Sequence, residues 1–269
     1  MPEAPEVESL RRYLVAQGVV GRTIIAVHAD WPGIENTNDA MGGLKPLTGR
    51  KITGTSRHGK NLFLLLDRGV LWLHMGMTGR LVIMPPDAEP LKYARITFYL
   101  DDERRIELDD PRRWASAQII DGVSDVTGAL GPDALDPSFT AAQFTDAARK
   151  RRAPIKSLLM DQHVLAGVGN IYADEALHRA RISPLRPANR ISVERLTKLF
   201  EAIRVSLDLA VGHIVANPNE DGSPFIVDAY DDRMRLPRKK GVPCPDCGTA
   251  LSSHKFGGRT AYYCRSCQK

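Results

Sequence analysis

The 269-residue sequence lacks the segments that would place a protein in a membrane or outside the cell. No apolar run approaches the roughly 18 residues that a membrane-spanning helix needs, which excludes an integral helical membrane protein. The N-terminal residues are acidic and include no apolar signal region, so we expect a cytosolic protein that is not exported. The sequence also contains no internal repeat and no low-complexity tract.

The composition is typical of a soluble globular protein with about two domains. Hydrophobic residues make up 43% of the chain and charged residues 26%, which excludes a mainly disordered protein. At roughly 150 residues per domain, the length predicts two domains with a core of useful size.

Positive charge is concentrated toward the C-terminus. Residues 233–269 contain nine lysines and arginines against one acid, Asp246, so this segment carries +8 while the whole chain carries +5. A charge run can be a plain solvated surface, but a short basic module more often binds a polyanion.

The cysteines all lie in this basic segment, in the pattern C-x2-C-x16-C-x2-C: Cys244, Cys247, Cys264 and Cys267. Two knuckles of this spacing place four thiolates around one Zn²⁺ and predict a closed, structural metal site. Two disulfides or a redox dithiol are the alternatives, and a reducing cytosol argues against both. Zinc alone does not imply DNA, since zinc ribbons also mediate protein contacts.

Hydrophobic periodicity predicts an α+β protein. We expect a helix over residues 1–17 that ends at Gly18, followed by several short strands over 20–122, as in a β-sandwich or barrel. A linker is predicted at 123–138. Helices are predicted over 139–215, most clearly at 192–211, and a mobile polar loop at 216–235.

Two short motifs could carry chemistry. Removal of Met1 would expose Pro2 as a secondary amine that can attack an aldehydic carbon, with Glu3 and Glu6 as nearby proton-transfer groups. The Gly-Val-Gly-Asn segment at 167–170 could turn amide groups toward an anion. Taken singly, a frayed acidic end and a plain helix–helix turn are the alternatives.

Seven segments follow one another along the chain as a series. They are Pro-Glu-Ala-Pro-Glu-Val-Glu at 2–8, His-Gly-Lys at 58–60, His-Met-Gly-Met-Thr-Gly at 74–79, Asp-Pro-Arg-Arg-Trp at 110–114, Ile-Lys at 155–156, Gly-Val-Gly-Asn-Ile-Tyr-Ala at 167–173 and the four-cysteine finger. In this order they resemble the formamidopyrimidine-DNA glycosylase / endonuclease VIII family of base-excision repair enzymes, and the formamidopyrimidine-DNA glycosylase branch more closely.

The resemblance implies an α+β multidomain fold. It consists of an N-terminal β-sandwich with a leading helix, a helix–two-turn–helix domain and a C-terminal four-cysteine zinc finger. DNA would lie in the cleft between the sandwich and the helical domain that bears the finger. The expected domains are residues 1–130, 131–235 and 236–269.

The resemblance also implies catalytic roles. Pro2 would attack C1′ of a damaged nucleotide flipped out of the duplex, and Glu3, with Glu6 nearby, would supply protons. Lys60 would donate a proton and contact a phosphate during strand cleavage. Arg259 would clasp the phosphates beside the flipped nucleotide. Base loss and β,δ-elimination would leave a one-nucleotide gap, without an organic cofactor.

Seven more residues are expected to contact DNA by resemblance: Met77, Arg112 and Trp114 in the hole left by the extruded base, Asn170, Lys156 and Arg151 on phosphates, and Tyr93 where a DNA-binding His is often found. Trp114 stands where a Phe is usual, and segment 234–240 departs from the family's pattern. The loop 216–232 lies where the family caps the flipped base, so base preference stays open.

The sequence therefore favours a bifunctional DNA glycosylase/AP lyase that removes oxidised purines, namely 8-oxoguanine and formamidopyrimidines, through a Schiff base on Pro2. There are three alternatives. The protein could perform the same chemistry on oxidised pyrimidines, it could bind DNA without catalysis, or it could be a zinc-ribbon module that contacts other proteins. Pro2, Glu3 and Lys60 favour an enzyme, because binding alone needs no free amine. We expect a cytoplasmic, nucleoid-associated monomer with one Zn²⁺ that binds double-stranded damaged DNA.

DNA affinity is expected to fall steeply with salt. Five cations are expected to contact phosphates: Arg151, Lys156, Arg238, Lys239 and Arg259. Five contacts correspond to a slope of log K against log[salt] of roughly −4 to −5.

Overall fold

The computed structural model of the protein describes residues 2–30, 43–225 and 234–269. They divide into one unit of Met1–Gly128 with Ile214–Val227 and a second of Ala129–His213 with Asp228–Lys269. The first division lies next to the expected boundary at 130. The finger belongs to the same unit as the central helices, and the expected three-domain division stays a prediction.

The first unit contains two antiparallel four-stranded sheets. One has the order β2-β3-β4-β8 and the other the order β1-β6-β7-β5. The strands are β1 Ile24–Ala29, β2 Ile52–His58, β3 Asn61–Leu66, β4 Val70–His74, β5 Arg80–Met84, β6 Ala94–Leu100, β7 Arg105–Asp109 and β8 Ser116–Ile120. Tight turns join β2 to β3 and β3 to β4, so these strands pair in sequence order.

Helix α1, Ala4–Ala16, packs with both sheets around one apolar core. Leu10 of α1, Leu64 of β3 and Phe98 of β6 are buried together there. The helix ends before Gly18, whose φ of 67° is one that a residue with a side chain rarely adopts. The predicted sandwich with a leading helix is therefore confirmed.

Within the described ranges five further α-helices follow: α2 Ser124–Thr127, α3 Ala141–Arg149, α4 Ile155–Met160, α5 Asn170–Arg179 and α6 Val193–Ala216. The long helix α6 was predicted to end at residue 211 and continues for five residues more. In the second unit, aromatic side chains such as Phe144, Tyr172 and Phe200 fill the core. No helix among the described residues combines the length and the apolarity needed to cross a membrane.

The C-terminal finger is a hairpin of β9 Ser252–Phe256 and β10 Arg259–Tyr263. Its buried apolar cluster is small and consists of Leu236, Leu251 and two of the cysteines, Cys244 and Cys264. A cluster of this size is too small to stabilise a module alone, as is usual for a fold that depends on a metal.

Two segments that were predicted to be irregular make specific contacts, and the division between the two units falls within the predicted linker 123–138. The predicted linker 123–138 begins with α2 and is then anchored, because the amides of Gly131 and Ala134 donate to the carbonyls of Gln162 and Ala166 at 2.9 Å. The predicted mobile loop is held at its start, where Asp221 accepts hydrogen bonds from Ser223 and from Arg80. Residues 226–233 of this loop lie outside the described residues.

Candidate active site and DNA-binding surface

The N-terminal motif forms the first turn of α1. Glu3 is the N-cap residue, and the Glu3 amide donates to Glu6 Oε2 at 2.8 Å in a capping box. Pro5 lies in the first turn, where its missing N–H costs nothing. Pro2, Glu3 and Glu6 are all buried. The motif is therefore an ordered part of the fold and not a frayed end.

Arg57 links helix α1 to the hairpin that carries Lys60. Its Nε donates to Glu8 Oε2 at 3.2 Å, and its Nη1 donates to the carbonyl oxygen of Gly59 at 3.0 Å. Gly59 and Lys60 form the two-residue turn between β2 and β3, with a φ of 59° at Gly59. Lys60 is itself buried. The contacts of Arg57 thus place Lys60 beside the helix that begins with the Pro2-Glu3 motif.

Glu8 is ionised at neutral pH. Burial raises its pKa, but the hydrogen bonds of Arg11 and Arg12 and the charge of Arg57 outweigh burial and lower the pKa to about 2. Its carboxylate therefore stays available to hold Arg57.

His74, at the end of β4, lies close to Lys60. Burial and the positive charge of Lys60 lower the pKa of His74, so its imidazole is neutral at pH 7. Its Nδ1 accepts a hydrogen bond from the Gly76 amide at 3.2 Å, which leaves the proton on Nε2. A neutral ring with an Nε2–H can donate to a phosphate oxygen.

Asp110 holds together the two loops that were expected to face DNA. Its fully buried carboxylate accepts four hydrogen bonds, from Thr78 Oγ1 at 2.5 Å and from the amides of Arg112 at 3.1 Å, Trp114 at 2.6 Å and Ala115 at 2.8 Å. Since Thr78 belongs to loop 75–79 and the other donors belong to loop 110–115, one side chain fixes both loops.

The backbones of these loops touch at Gly76. A Cβ at Gly76 would lie 2.3 Å from the carbonyl carbon and oxygen of Trp114, and the φ of Gly76 is 56°. Arg113 also has a positive φ of 58°, which is unusual for a residue with a side chain and is often found at functional sites. Only glycine fits at position 76, so loop 75–79 lies directly against loop 110–115.

Trp114 and Arg112 form an exposed stacked pair. Trp114 is 58% exposed, and Arg112 Cζ lies 4.9 Å from the centre of its ring. Met77 is partly buried. A solvent-exposed indole of this kind is typical of a binding surface. The structure brings together the loops of the three residues expected to fill the base gap.

Tyr93 is also exposed and is flanked by cations. Lys92 Nζ lies 5.3 Å and Arg95 Cζ 5.7 Å from the centre of its ring. Arg95 is in turn fixed by an ion pair with Asp30 at 3.0 Å. An aromatic ring beside two positive charges suits a nucleic-acid backbone.

In the second unit, Asn170 and Arg259 are neighbours. Asn170 begins helix α5, and its Nδ2 donates to the carbonyl oxygen of Thr260 at 3.2 Å. Thr260 directly follows Arg259, which is exposed beside the turn of the finger hairpin. That turn is Gly257-Gly258, and both glycines have a positive φ, as a type I′ turn requires. The amide, the helix N-terminus and the guanidinium together suit an anion.

Lys156 is not exposed, contrary to the role expected from the sequence. Its side chain is fully buried and forms an ion pair with Asp174. Arg238 Nη1 donates to the other oxygen of Asp174 at 2.6 Å, and the Tyr262 amide donates to the same oxygen at 3.1 Å. Lys156 and Arg238 therefore contact Asp174 and not solvent.

This buried cluster has a net charge of one positive unit, since it pairs two cations with one carboxylate. Lys156 and Arg238 also donate to the carbonyl oxygen of Asn170, each at 3.2 Å. The cluster therefore adds positive potential behind the N-terminus of α5 and joins the finger to this helix.

Arg151, just after α3, is exposed. Its nearest ion-pair partner is Asp161, at 3.9 Å, which is too long for a strong contact. The guanidinium is therefore accessible to a phosphate.

The four cysteine sulfurs form one cluster. Cys244 Sγ lies 3.9 Å from Cys267 Sγ, Cys247 Sγ lies 3.5 Å from Cys264 Sγ, and all four sulfurs lie within 4.8 Å of one another. None forms a disulfide. Sulfurs at about 2.3 Å from a tetrahedral zinc would be about 3.8 Å apart, so the geometry fits a four-thiolate metal site.

The comparison with known families agrees with this arrangement. The family model of the formamidopyrimidine-DNA glycosylase N-terminal domain matches residues 1–117, and that of the formamidopyrimidine-DNA glycosylase H2TH domain matches residues 130–216. The chain belongs to the formamidopyrimidine-DNA glycosylase family. It is accordingly a DNA glycosylase of base-excision repair, in a family that combines glycosylase and AP lyase activity.

Members of this family from several bacteria match along their whole length. The formamidopyrimidine-DNA glycosylase of Roseiflexus sp. (strain RS-1) is 35% identical over 273 residues, with 100% of both chains covered. The crystal structure of the MutM (Fpg) protein of Thermus thermophilus superposes with a TM-score of 0.82 at 34% identity, covering 99% of this chain and 98% of that one. The Lactococcus lactis Fpg in complex with abasic-site DNA gives a TM-score of 0.86 at 28% identity, with 99% of both chains covered.

Sequence reasoning did not identify two residues that organise the candidate site. Asp110 was seen only as part of its loop motif, and Asp174 was not singled out at all. A charged residue inside a helix is usually solvated, so the sequence offers no signal that Asp174 is buried. Its partners lie 18 and 64 positions away along the chain.

Proposed function

We propose that the protein is a bifunctional DNA glycosylase/AP lyase that excises oxidised purines, namely 8-oxoguanine and formamidopyrimidines. The observation that carries this proposal is the buried, capped Pro2-Glu3 motif at the start of α1. Through Glu8 of the same helix, Arg57 ties α1 to the hairpin of Lys60. An exposed stacked pair, Arg112 and Trp114, supports the removal of a base from a duplex. The curated relatives are named for formamidopyrimidine-DNA, which favours oxidised purines as the substrate.

In the proposed reaction, Pro2 is the nucleophile. With Met1 removed, the lone pair of its secondary amine attacks C1′ while the bond from C1′ to the damaged base breaks. The base leaves with that electron pair and takes up the proton that the Pro2 nitrogen loses. Glu3 delivers a proton to the ring oxygen, so the sugar opens and the Pro2 nitrogen forms an iminium with C1′. Glu6 accepts a hydrogen bond from the Glu3 amide and positions the motif.

The iminium then makes strand cleavage possible. Removal of a C2′ proton expels the 3′ phosphate by β-elimination, and a second elimination expels the 5′ phosphate, which leaves a one-nucleotide gap. Lys60 donates a proton and contacts a phosphate in these steps. Water finally hydrolyses the iminium and restores the amine of Pro2.

The damaged nucleotide must leave the stack before this chemistry. Met77 and Trp114 would fill the gap, and Arg112 would hydrogen-bond the orphaned partner base. Arg259, Asn170, Arg151 and Tyr93 would hold the flanking phosphates. Lys156 has a different role from the one expected, since it supports Asn170 from behind through the Asp174 cluster.

One Zn²⁺ bound by Cys244, Cys247, Cys264 and Cys267 completes the proposal. It would be structural, because four thiolates leave no open coordination position. The enzyme would act as a monomer on double-stranded damaged DNA, in the cytoplasm and bound to the nucleoid.

Borohydride trapping tests the proposal. The reagent reduces an iminium to a stable amine, so it should link the full-length protein covalently to a duplex bearing one lesion. Peptide mapping should place the adduct on Pro2. The assignment fails if the adduct maps to Lys60 or another lysine. If no adduct forms while the duplex still binds, the protein is a non-catalytic DNA-binding protein.

Glu3→Gln should affect excision of a damaged base more than cleavage at an abasic site. The substitution keeps the shape of the side chain but removes its ionisable proton, so excision of a damaged base should fall by about 100-fold or more. Cleavage at a preformed abasic site should suffer less, because that sugar already opens to an aldehyde. Unchanged base excision would contradict the role of Glu3.

A panel of duplexes that each carry one lesion decides between the purine and pyrimidine alternatives. Faster single-turnover excision of 8-oxoguanine and formamidopyrimidines supports the proposal. Faster excision of oxidised pyrimidines supports the alternative with the same chemistry.

A further inference from the structure

A buried histidine on helix α5 touches the four-cysteine cluster. His178 lies in the last turn of α5 and is fully buried. Its Nε2 is 3.5 Å from Cys244 Sγ, within hydrogen-bond distance for sulfur. The ligand cysteines belong to the finger, so this contact joins the helical core of the unit to the metal site.

The chemistry of the thiolate decides which ring nitrogen carries the proton. A metal-bound thiolate has no proton and can only accept, so the hydrogen bond requires an N–H at Nε2. Nδ1 is then the unprotonated nitrogen of a neutral ring, and it has no hydrogen-bond partner among the described residues.

A second acceptor near Nε2 is too far away to compete. Asp246 Oδ2 lies 3.9 Å from Nε2, beyond hydrogen-bond range for oxygen. Asp246 also forms an ion pair with Arg235, which neutralises much of its attraction for the imidazole. The sulfur of Cys244 is therefore the acceptor that Nε2–H meets.

The unpartnered Nδ1 shows that this histidine is not simply filling space. A buried nitrogen without a partner costs free energy, and a phenylalanine of similar size would fill the same space without that cost. What the imidazole adds at this position is the N–H directed at sulfur.

We propose that His178 donates a hydrogen bond from Nε2 to the metal-bound thiolate of Cys244 and so acts as a positioning residue of the zinc finger. The inference rests on the zinc site proposed above. Four thiolates and one Zn²⁺ carry two excess negative charges, and an N–H donor offsets part of this charge while it orients the ligand. Because Asn170 begins the same helix, the bond also connects the metal site to a DNA-binding residue.

The first test detects the hydrogen bond in the unmodified full-length chain. With ¹¹³Cd in place of zinc, a hydrogen bond to the bound thiolate should give a scalar coupling between the metal and Hε2 of His178. Cadmium held by four cysteines without this coupling overturns the inference. A chain that binds no metal overturns the zinc proposal instead, so the two failures are distinguishable.

The second test compares two matched substitutions in the zinc-loaded full-length chain. His178→Phe removes the donor and keeps the ring, so zinc should pass to an excess of chromogenic chelator about 10-fold faster. His254→Phe makes the same change at an exposed position of the finger and should leave the rate unchanged. Equal release from His178→Phe and from the parent chain contradicts the proposal.

A third variant separates the hydrogen bond from packing. His178→Gln supplies an amide N–H and should restore part of the slow zinc release, whereas a purely space-filling role predicts that it releases zinc at least as fast as His178→Phe. In the cobalt-loaded chains, loss of the donor should move the sulfur-to-cobalt charge-transfer band of His178→Phe to longer wavelength. An unmoved band contradicts the proposal.

Discussion

Asp110 is the residue on which the two loops expected to face DNA depend most. Whichever way the amide of Asp110→Asn is oriented, its NH₂ group would face at least one backbone N–H that now donates to a carboxylate oxygen. Each unsatisfied buried donor costs roughly 1–3 kcal/mol. Single-turnover excision of a damaged base should therefore slow by about 10-fold, while cleavage of a preformed abasic site, with no base to extrude, should slow less.

A milder variant of the same network serves as the control. Thr78→Val removes one of the four hydrogen bonds to Asp110 and keeps the shape of the side chain, so its effect on excision should be smaller. If Asp110→Asn slowed both reactions equally, it would be acting on the stability of the whole unit rather than on base extrusion.

Glu8 should make stability depend on pH in the acid range. Its folded pKa of about 2 lies below the unfolded value of 4.5, so the ionised carboxylate stabilises the fold above pH 4.5. This contribution is lost as the pH falls from about 4.5 to about 2. Because two of its arginine partners are partly solvated, the loss is on the order of 2 kcal/mol.

Urea titrations of the parent chain and Glu8→Gln measure this effect. At pH 7 the variant should have the lower free energy of unfolding, and the difference should vanish near pH 2. A difference that is independent of pH would mean that packing, not charge, accounts for the effect of Glu8.

Single residues also show which features of the site the sequence could predict and which it could not. Pro2, Glu3 and Lys60 could be proposed as catalytic residues because they belong to short motifs whose order along the chain is distinctive. The burial of Lys156 could not be foreseen, because it depends on Asp174 and Arg238, which only the folded chain brings together. Local sequence identifies which residue types are present but not which ones a distant partner covers.

Among the elements, the regular ones were predictable, and the contacts that order the irregular ones were not. The long helix α6 and the succession of short strands follow from periodicity and turn residues. The segment 123–138 looks like a linker because it is rich in Gly, Pro and Asp. Its order comes from hydrogen bonds to residues 162–166, more than 30 positions away.

Loss of the finger should weaken DNA binding but leave the first unit folded. Cys264→Ser removes one of four thiolates and should release zinc, which elemental analysis measures. DNA affinity should fall because the hairpin that carries Arg259 loses its support. The first unit should keep its cooperative unfolding transition, since its core lies in a different set of residues. Full retention of zinc by this variant would contradict the four-cysteine site.

At the scale of the whole molecule, the salt dependence of DNA binding reports how many cations meet phosphates. The sequence predicted about five, but Lys156 and Arg238 are committed to Asp174. The remaining exposed cations of that set are Arg151, Lys239 and Arg259. Three contacts correspond to a slope of log K against log[salt] of about −3, and not −4 to −5.

Fluorescence anisotropy with a labelled lesion duplex, over a series of salt concentrations, measures this slope. Arg151→Ala should make the slope less steep by about one unit. Lys156→Met should weaken binding without changing the slope, because Lys156 releases no counterion from DNA. A change of one unit in both variants would restore Lys156 as a phosphate contact.

The contact at Gly76 has a consequence for engineering new lesion specificities. No side chain fits between residue 76 and the carbonyl group of Trp114, and Asp110 anchors both loops. A library that randomises loop 110–115 alone would therefore yield mostly misfolded clones. Loops 75–79 and 110–115 form a single exchangeable cassette, although 30 residues separate them in the gene product, and they should be transplanted together from one donor enzyme.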